Sequence, residues 1–314
     1  MEDIWRWRSI TAVAPIAWGS NYYVAHRYLP ADTPLYGGAL RALPAGLLLL
    51  ALTRRLPRGA WWWRAVVLGT LNMGAFFVLI YVAAQRLPTS IAASVMATSP
   101  VVLMLAAWLL LGERPRAVGL AGAGIGLAGV SLLVAAGGDV DTFGVVASVA
   151  AMVMSSAGYV LAKRWTATAD VLAVTAWQLL AGGATLLPLA VLIEGPPPAV
   201  DVPTRLALAY VAVVATAVAF VAWFTGLRHL SAGEVGLIGL LNPVTGALLG
   251  TIVAGEVLTL RQCGGLALVL AGVVLGGRAR RVDAGHPATS SQAKQRGPDD
   301  LRCGPEGGGS LLSL

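Results

Sequence analysis

Charge is scarce in this sequence. Only 12% of its 314 residues are Asp, Glu, Lys or Arg, against 57% that are hydrophobic, and its mean hydropathy is +0.76. A soluble domain carries roughly a quarter charged residues to cover its surface, so a water-facing shell cannot be built here. A bilayer removes that requirement, because hydrocarbon accepts an apolar exterior. Cysteine is nearly absent as well. Cys263 and Cys303 are too few for a disulfide framework or a thiolate metal site. Histidine is limited to His26, His229 and His286, none in the middle of an apolar run. HExxH, GxSxG and P-loop patterns are missing. Ala136-Gly137-Gly138-Asp139 approaches an intramembrane aspartyl pattern but lacks its first glycine and falls in a loop. The expectation is a protein that is not an enzyme and uses no cofactor or metal.

The charge that is present is placed at the ends of apolar runs. The formal net charge of +7 therefore reads as a set of topology determinants rather than a phosphate-binding stripe, and nucleic acid is not an expected partner. Uninterrupted apolar stretches predict ten spans: 10–28, 34–53, 62–86, 89–111, 115–136, 142–164, 170–193, 204–228, 231–255 and 259–278. Most approach the roughly 20 residues that cross a bilayer as a helix. Thr33-Pro34 offers an N-cap before a proline in the first turn. Ser231 with Glu234, and Thr259 with Gln262, have capping-box spacing. Arg6 and Arg8 resemble a signal-peptide start, but Pro15, Trp18, Asn21 and Tyr22 interrupt the apolar segment, so this is read as a retained first helix.

With the N-terminus (1–9) in the cytoplasm, fourteen Lys and Arg residues fall inside and four outside, the four being Arg27, Arg86, Arg205 and Arg261. The positive-inside rule then places both termini in the cytoplasm of a multi-pass plasma-membrane protein. Residues 279–314 are rich in Gly, Pro, Ser, Gln and charge, and read as a disordered cytoplasmic tail.

The two halves of the apolar region align. Leu87 to Gly129 matches Leu230 to Gly272 at an offset of 143, which superposes Pro100 on Pro243 and Gly112-Glu113 on Gly255-Glu256. The first two spans of each half align at 137, placing Tyr22 on Tyr159, Arg41 on Gln178 and Gly46 on Gly183. The expected architecture is all-α, with ten transmembrane helices in two repeats, 10–136 and 142–278. Five crossings per repeat is an odd number, so the second repeat is inverted relative to the first. Inverted repeats are a recurring plan of secondary transporters, with a site near the midplane where the halves meet.

Each half resembles an EamA domain of the drug/metabolite transporter superfamily. The resemblance is carried by Trp18-Gly19, by Arg41, and by Ser99-Pro100-Val101 through Leu111-Gly112-Glu113. Asn242-Pro243-Val244 through Ala254-Gly255-Glu256 and the glycine-rich runs Gly119–Gly129 and Gly264–Gly276 complete it. It implies a ten-helix carrier, often an exporter of amino acids, other metabolites or drugs, whose helices one to four and six to nine surround a cavity. Helices five and ten pack to one side in such proteins. The residue before the second-half proline is often Glu in the family, and here it is Asn242.

Polar and aromatic residues inside the spans are the site candidates. Arg41 is costly at membrane depth, by about 2.5–3.5 kcal/mol, so it must face a cavity or a partner. It can hold a substrate carboxylate or phosphate, or anchor to helix-end carbonyls. Gln178, as its repeat counterpart, is expected to face the same cavity, and Asn72 and Asn242 lie mid-span, lining it or bonding helix to helix. Trp18, Tyr22, Trp177 and Trp223 are candidate cavity walls, whereas Trp61-Trp62-Trp63 read as interface belt. Glu234 is either a proton-coupling carboxylate or half of a capping box, and the spacing favours the cap. Pro100 and Pro243 are expected to kink their helices, as shape or as gate. The glycine runs read as close packing of helices five and ten, or as a homodimer face.

The expected function is alternating-access transport, as an exporter, of a small solute, with a coupling ion such as a proton and the lipid bilayer as further partners. A channel needs a continuous polar pore, for which intramembrane polar residues are too sparse. A scaffold leaves the inverted duplication without a purpose.

Overall fold

A computed structural model of the chain describes residues 2–28, 33–86, 95–134, 141–166, 169–254 and 259–283. Among these residues there are helices and no strands. The helices are α1 Glu2–Tyr28, α2 Pro34–Thr53, α3 Trp61–Gly69, α4 Ala75–Arg86, α5 Ser99–Leu111, α6 Ala117–Val134 and α7 Thr142–Trp165. They continue as α8 Val171–Ile193, α9 Val202–Ala212, α10 Ala219–His229, α11 Ala232–Gly239, α12 Leu241–Ala254 and α13 Leu260–Asp283. A π turn, Thr70–Gly74, joins α3 to α4, and a second, Val213–Val218, joins α9 to α10. They begin 143 residues apart. Met1–Ala279 form one compact unit.

Among the described residues, five continuous runs are long and apolar enough to cross a membrane: Pro34–Thr53, Trp61–Ile80, Thr142–Trp165, Val171–Ile193 and Val202–His229. Ser99–Leu111, Ala117–Leu132 and Leu260–Gly276 are shorter apolar helices. Their outer faces carry bare aliphatic side chains, such as Leu109, Leu192, Leu206 and Val274, as a lipid-facing surface does. The first helix starts at Glu2 rather than at residue 10, because its polar first turns are held by packing: Trp7 stacks on His229 at 3.6 Å between centroids, and Arg8 pairs with Glu234. At the other end of the chain α13 runs on to Asp283, past the expected boundary at 278. Residues 284–314, expected as a disordered tail, lie outside the described residues.

Most helix starts follow the local sequence. Asp141, Asp170 and Asp201 cap α7, α8 and α9 through the backbone N–H groups of Gly144, Leu172 and Thr204. The Thr204 bonds hold the Asp201 carboxyl below the ordinary carboxylate range. Thr259 and Gln262 form a reciprocal capping box at α13. The start of α2 departs from expectation. Thr33 makes no capping bond with its side chain. Instead Glu194, just past the end of α8, accepts the N–H groups of Leu35 at 2.6 Å and Tyr36 at 2.9 Å, and the Tyr36 hydroxyl donates to Gly195 O. A carboxylate on the first-turn N–H groups also suits the positive end of the helix dipole.

Pro100 and Pro243 do not sit inside continuous helices, as Pro15, Pro44 and Pro188 do. Pro100 lies in the first turn of α5, which follows a turn at Ala97–Thr98, and Pro243 lies in the first turn of α12, after a break at Leu240. Proline lacks the N–H that a helix interior needs and its ring clashes with the preceding turn, so a restart costs less than a bend. Two glycine seams then fix how the helices meet. Along α2 and α8, Gly46 packs on Leu180 and Gly183 packs on Leu43. Across α6 and α13, Gly122 meets Gly272 and Gly276, Gly272 meets Gly126, and Gly129 meets Gly265 and Val269. Small residues let the backbones themselves come into contact, which drives association where lipid offers no hydrophobic gain.

A Cβ on Gly122 would stand 2.6 Å from Gly272 O, whereas one on Gly124 meets nothing within 4 Å. Gly122→Ala is expected to lower the melting temperature of the purified protein. Gly124→Ala is expected to leave it unchanged or raise it, by up to about 1 kcal/mol of helix propensity. Equal responses of the two variants would remove the seam from the account of stability.

Candidate substrate site

A π turn inserts a residue into a helix and leaves a backbone carbonyl without its usual partner, which side chains then satisfy. In the second π turn that carbonyl is Ala215 O. It accepts the Trp18 indole Nε1–H from α1 at 3.1 Å and an Arg41 Nη2–H from α2 at 3.2 Å. Arg41 Nε–H donates to Thr216 Oγ1, on the next residue, at 2.9 Å. The guanidinium lies 5.0 Å over the ring of Phe77 from α4. Trp18 in turn contacts Phe220 and Trp223 of α10, each at 5.2 Å between centroids, and Tyr159 of α7 meets Trp223 at 5.6 Å. Five helices and a π turn thus converge on one cation and a set of aromatic faces. Thr216, Phe220 and Trp223 are buried, while Trp18, Arg41, Phe77 and Tyr159 are half-buried around them.

No carboxylate reaches Arg41 among the described residues. The acids whose side chains are described sit at helix ends: Asp3 on α1, Glu113 after α5, Asp141, Asp170 and Asp201 as caps, Glu194 after α8 and Glu234 in the first turn of α11. The same residues contain no group of three or more His, Cys, Asp or Glu that could hold a metal.

Gln178 and Asn72 do not line a cavity with Arg41. Asn72 Nδ2–H donates to Gln178 Oε1 at 2.9 Å, and both side chains are fully buried. The pair joins the first π turn to α8, with Gly158 of α7 against the Asn72 side chain. Two neutral amides share one hydrogen bond in a buried interface, and no charge is brought there. Asn72 Oδ1 and Gln178 Nε2 have no hydrogen-bond partner among the described residues.

The other expected site residues are dispersed. Trp177 packs on Trp61, and its Nε1–H donates to Arg55 O at 2.7 Å, so it belongs to a helix-end aromatic group and not to the Trp18–Trp223 cluster. Trp62 and Trp63 beside it are exposed. Asn242 follows the break at Leu240, its backbone carbonyl lies against Gly19, and its Oδ1 is buried with no hydrogen-bond partner among the described residues. The side chain of Tyr22 lies outside the described residues. Glu234 is capped by Ser231, through Glu234 N–H to Oγ at 3.3 Å, and its carboxylate pairs with Arg8 at 2.5 Å. Nearby Glu113 pairs with Lys163 and accepts the N–H of Ala232, which ties α5 and α7 to the start of α11. Tyr159, Thr216, Phe77 and Phe220 are the cluster side chains that the sequence did not single out as site groups. Tyr159 had a signal, its alignment with Tyr22. Thr216, Phe77 and Phe220 had none.

The sequence pattern of the EamA-like transporter family matches the chain twice, over residues 6–135 and 142–277. Protein PecM of Dickeya dadantii (strain 3937) is 35% identical over 267 residues, spanning 83% of this chain and 89% of its own. The uncharacterized inner membrane transporter YedA of Escherichia coli (strain K12) is 30% identical over 270 residues, spanning 83% and 87%. A solved crystal structure matches 88% of this chain and 99% of its own with a TM-score of 0.77 at 23% identity, a likeness of fold. The chain belongs to the EamA-like transporter family and is a multi-pass membrane transporter.

The amide pair is open to direct measurement. In a double-mutant cycle of Asn72→Ala and Gln178→Ala, read by unfolding of the purified protein, the coupling is expected near the ~0.6 kcal/mol typical of interhelical bonds in membranes. Additive effects would mean that the two amides do not support one another.

Proposed function

We propose that this chain is a secondary carrier that exports a small solute by alternating access. Its ten crossings form two inverted repeats, 10–136 and 142–278, with both termini cytoplasmic and the solute held at the Arg41 cluster between them. The observation that carries this reading is a matched pair of contacts. Arg41 of α2 bonds to Ala215 and Thr216 of the second π turn, and Gln178 of α8 bonds to Asn72 of the first. Arg41 and Gln178 are 137 residues apart, and Asn72 and Ala215 are 143 apart, the two offsets that align the halves. The contacts exchange places when the halves are exchanged, as a two-fold relation requires.

The glycine seams support the same relation. Gly46 on Leu180 exchanges with Gly183 on Leu43, and Gly122 on Gly272 exchanges with Gly129 on Gly265. Contacts at the helix ends support the topology. Arg8–Glu234, Glu113–Lys163, Arg55–Asp170 and Trp7–His229 join residues assigned to the cytoplasmic face by the positive-inside count. Glu194 with Leu35 and Tyr36, Arg86–Asp141 and Thr204 with Tyr28 join residues assigned to the opposite face. The Arg8–Glu234 and Glu113–Lys163 pairs join α1 to α11 and the end of α5 to α7 on the face assigned to the cytoplasm.

Purified protein in proteoliposomes is expected to move solute in proportion to an imposed gradient, with no single-channel conductance in a planar bilayer. Arg41→Ala with Trp18→Ala is expected to reduce that flux by at least about tenfold, the loss of a charge-assisted hydrogen bond at the site. Flux at the parental level in this variant would sink the site, and unitary conductance would replace the carrier by a channel.

A further inference from the structure

Equal positions in the two halves are filled by unequal chemistry. At one, the Asn72–Gln178 amide pair is neutral and fully buried. At the other, Arg41 brings a full charge and meets a carbonyl and a hydroxyl, neither of which neutralises it. A structural tie at this position needs no cation, since the first half makes one from two amides. A charge at this depth costs about 2.5–3.5 kcal/mol, so a merely structural arginine is an expensive substitute. Its two bonds fix the guanidinium in place while other N–H donors of the same plane stay available, and planar recognition of a carboxylate is what that group does well.

The surroundings narrow the choice further. Trp18, Phe77, Tyr159 and Trp223 give aromatic faces beside the cation. The Trp223 Nε1–H is buried and has no partner among the described residues, a second donor in the same cluster. The carboxylates described lie at helix ends, so among the described residues an ammonium group would find aromatic faces in the cluster but no acid to pair with. A cationic solute would be repelled by Arg41, and a zwitterion would set its positive end near the guanidinium with no carboxylate to balance it among the described residues.

We infer that the solute is a net anion, an organic acid with an unsaturated or aromatic body, whose carboxylate is read by Arg41 while its ring lies on Trp18 and its neighbours. This inference rests on the carrier reading of the same cluster and specifies its substrate class. Arg41 is the charge-selecting residue, and Thr216 and Ala215 O are the positioning groups that hold it. The solute supplies the negative charge that the protein withholds, so the loaded site is neutral and the empty one is not.

The test uses three compounds of one shape and three charges: naphthoate, naphthamide and naphthylmethylamine. Melting temperature and calorimetric titration of the full-length purified protein are the readouts. Naphthoate is expected to bind and raise the melting temperature, with the amide and the amine weaker by about tenfold or more, the scale of one charge-assisted bond. Arg41→Gln is expected to abolish the preference, and Arg41→Lys to retain part of it. The comparison among ligands is made on the parental protein, so it stands even if an Arg41 variant fails to fold. Amide or amine binding as tight as the acid, no binding by any of the three, or an acid preference that survives Arg41→Gln would overturn the inference. Flux of a neutral or cationic solute without naphthoate binding overturns the anion site and leaves the carrier. Naphthoate binding without naphthoate flux in proteoliposomes leaves the anion site and overturns the carrier.

Discussion

Hydrocarbon offers a polar group nothing to bind, so each one at membrane depth has to meet its partner inside the protein or in what the protein carries. The two π turns answer that constraint in different ways. In the second, the carbonyl of Ala215 gathers the indole of Trp18 and the guanidinium of Arg41 onto one oxygen. In the first, Asn72 is presented to Gln178, and the two amides close on each other. The glycine seams obey the same rule from the opposite direction. Where α6 meets α13 there is no polar side chain to satisfy, and the backbones are free to touch.

The long apolar runs were legible because lipid demands length and hydrophobicity together, and no soluble core imposes both on so many segments. The capping box of Thr259 and Gln262 was legible because it is built from neighbours three residues apart. The recurrence of Pro100 at Pro243 pointed to equivalent features, although each proved to be a helix restart rather than a bend. The π turns left no mark in composition. Their 143-residue spacing matches the repeat offset, but neither Thr70–Gly74 nor Val213–Val218 contains a residue that announces an extra backbone step.

Other parts of the site were hidden because their determinants are remote in sequence. The cap on α2 comes from Glu194 and not from adjacent Thr33, and the partner of Gln178 lies 106 residues away. Trp177 looked deep when counted along its own helix, yet Trp61 and Arg55 cover it at a helix end. Arg41 was legible as an exception, since a lone charge in an apolar span needs a reason. What it touches was not. The two halves therefore match in a scaffold that sequence alignment detects, while one pair of matched contacts differs between them, a charge in one and two amides in the other.

Glu194 imposes an order of events on the making of this protein. Helix α2 is synthesised early, yet the N–H of Leu35 and the guanidinium at Arg41 find their acceptors in segments made 159 and 174 residues later. A chain halted before residue 194 holds α2 with its first turn bare and its cation unhoused, a poor lodger in a bilayer. The early helices must wait in an unfinished state until the later ones arrive. The first turn of α2 and the guanidinium of Arg41 therefore gain these partners only from the second half of the chain.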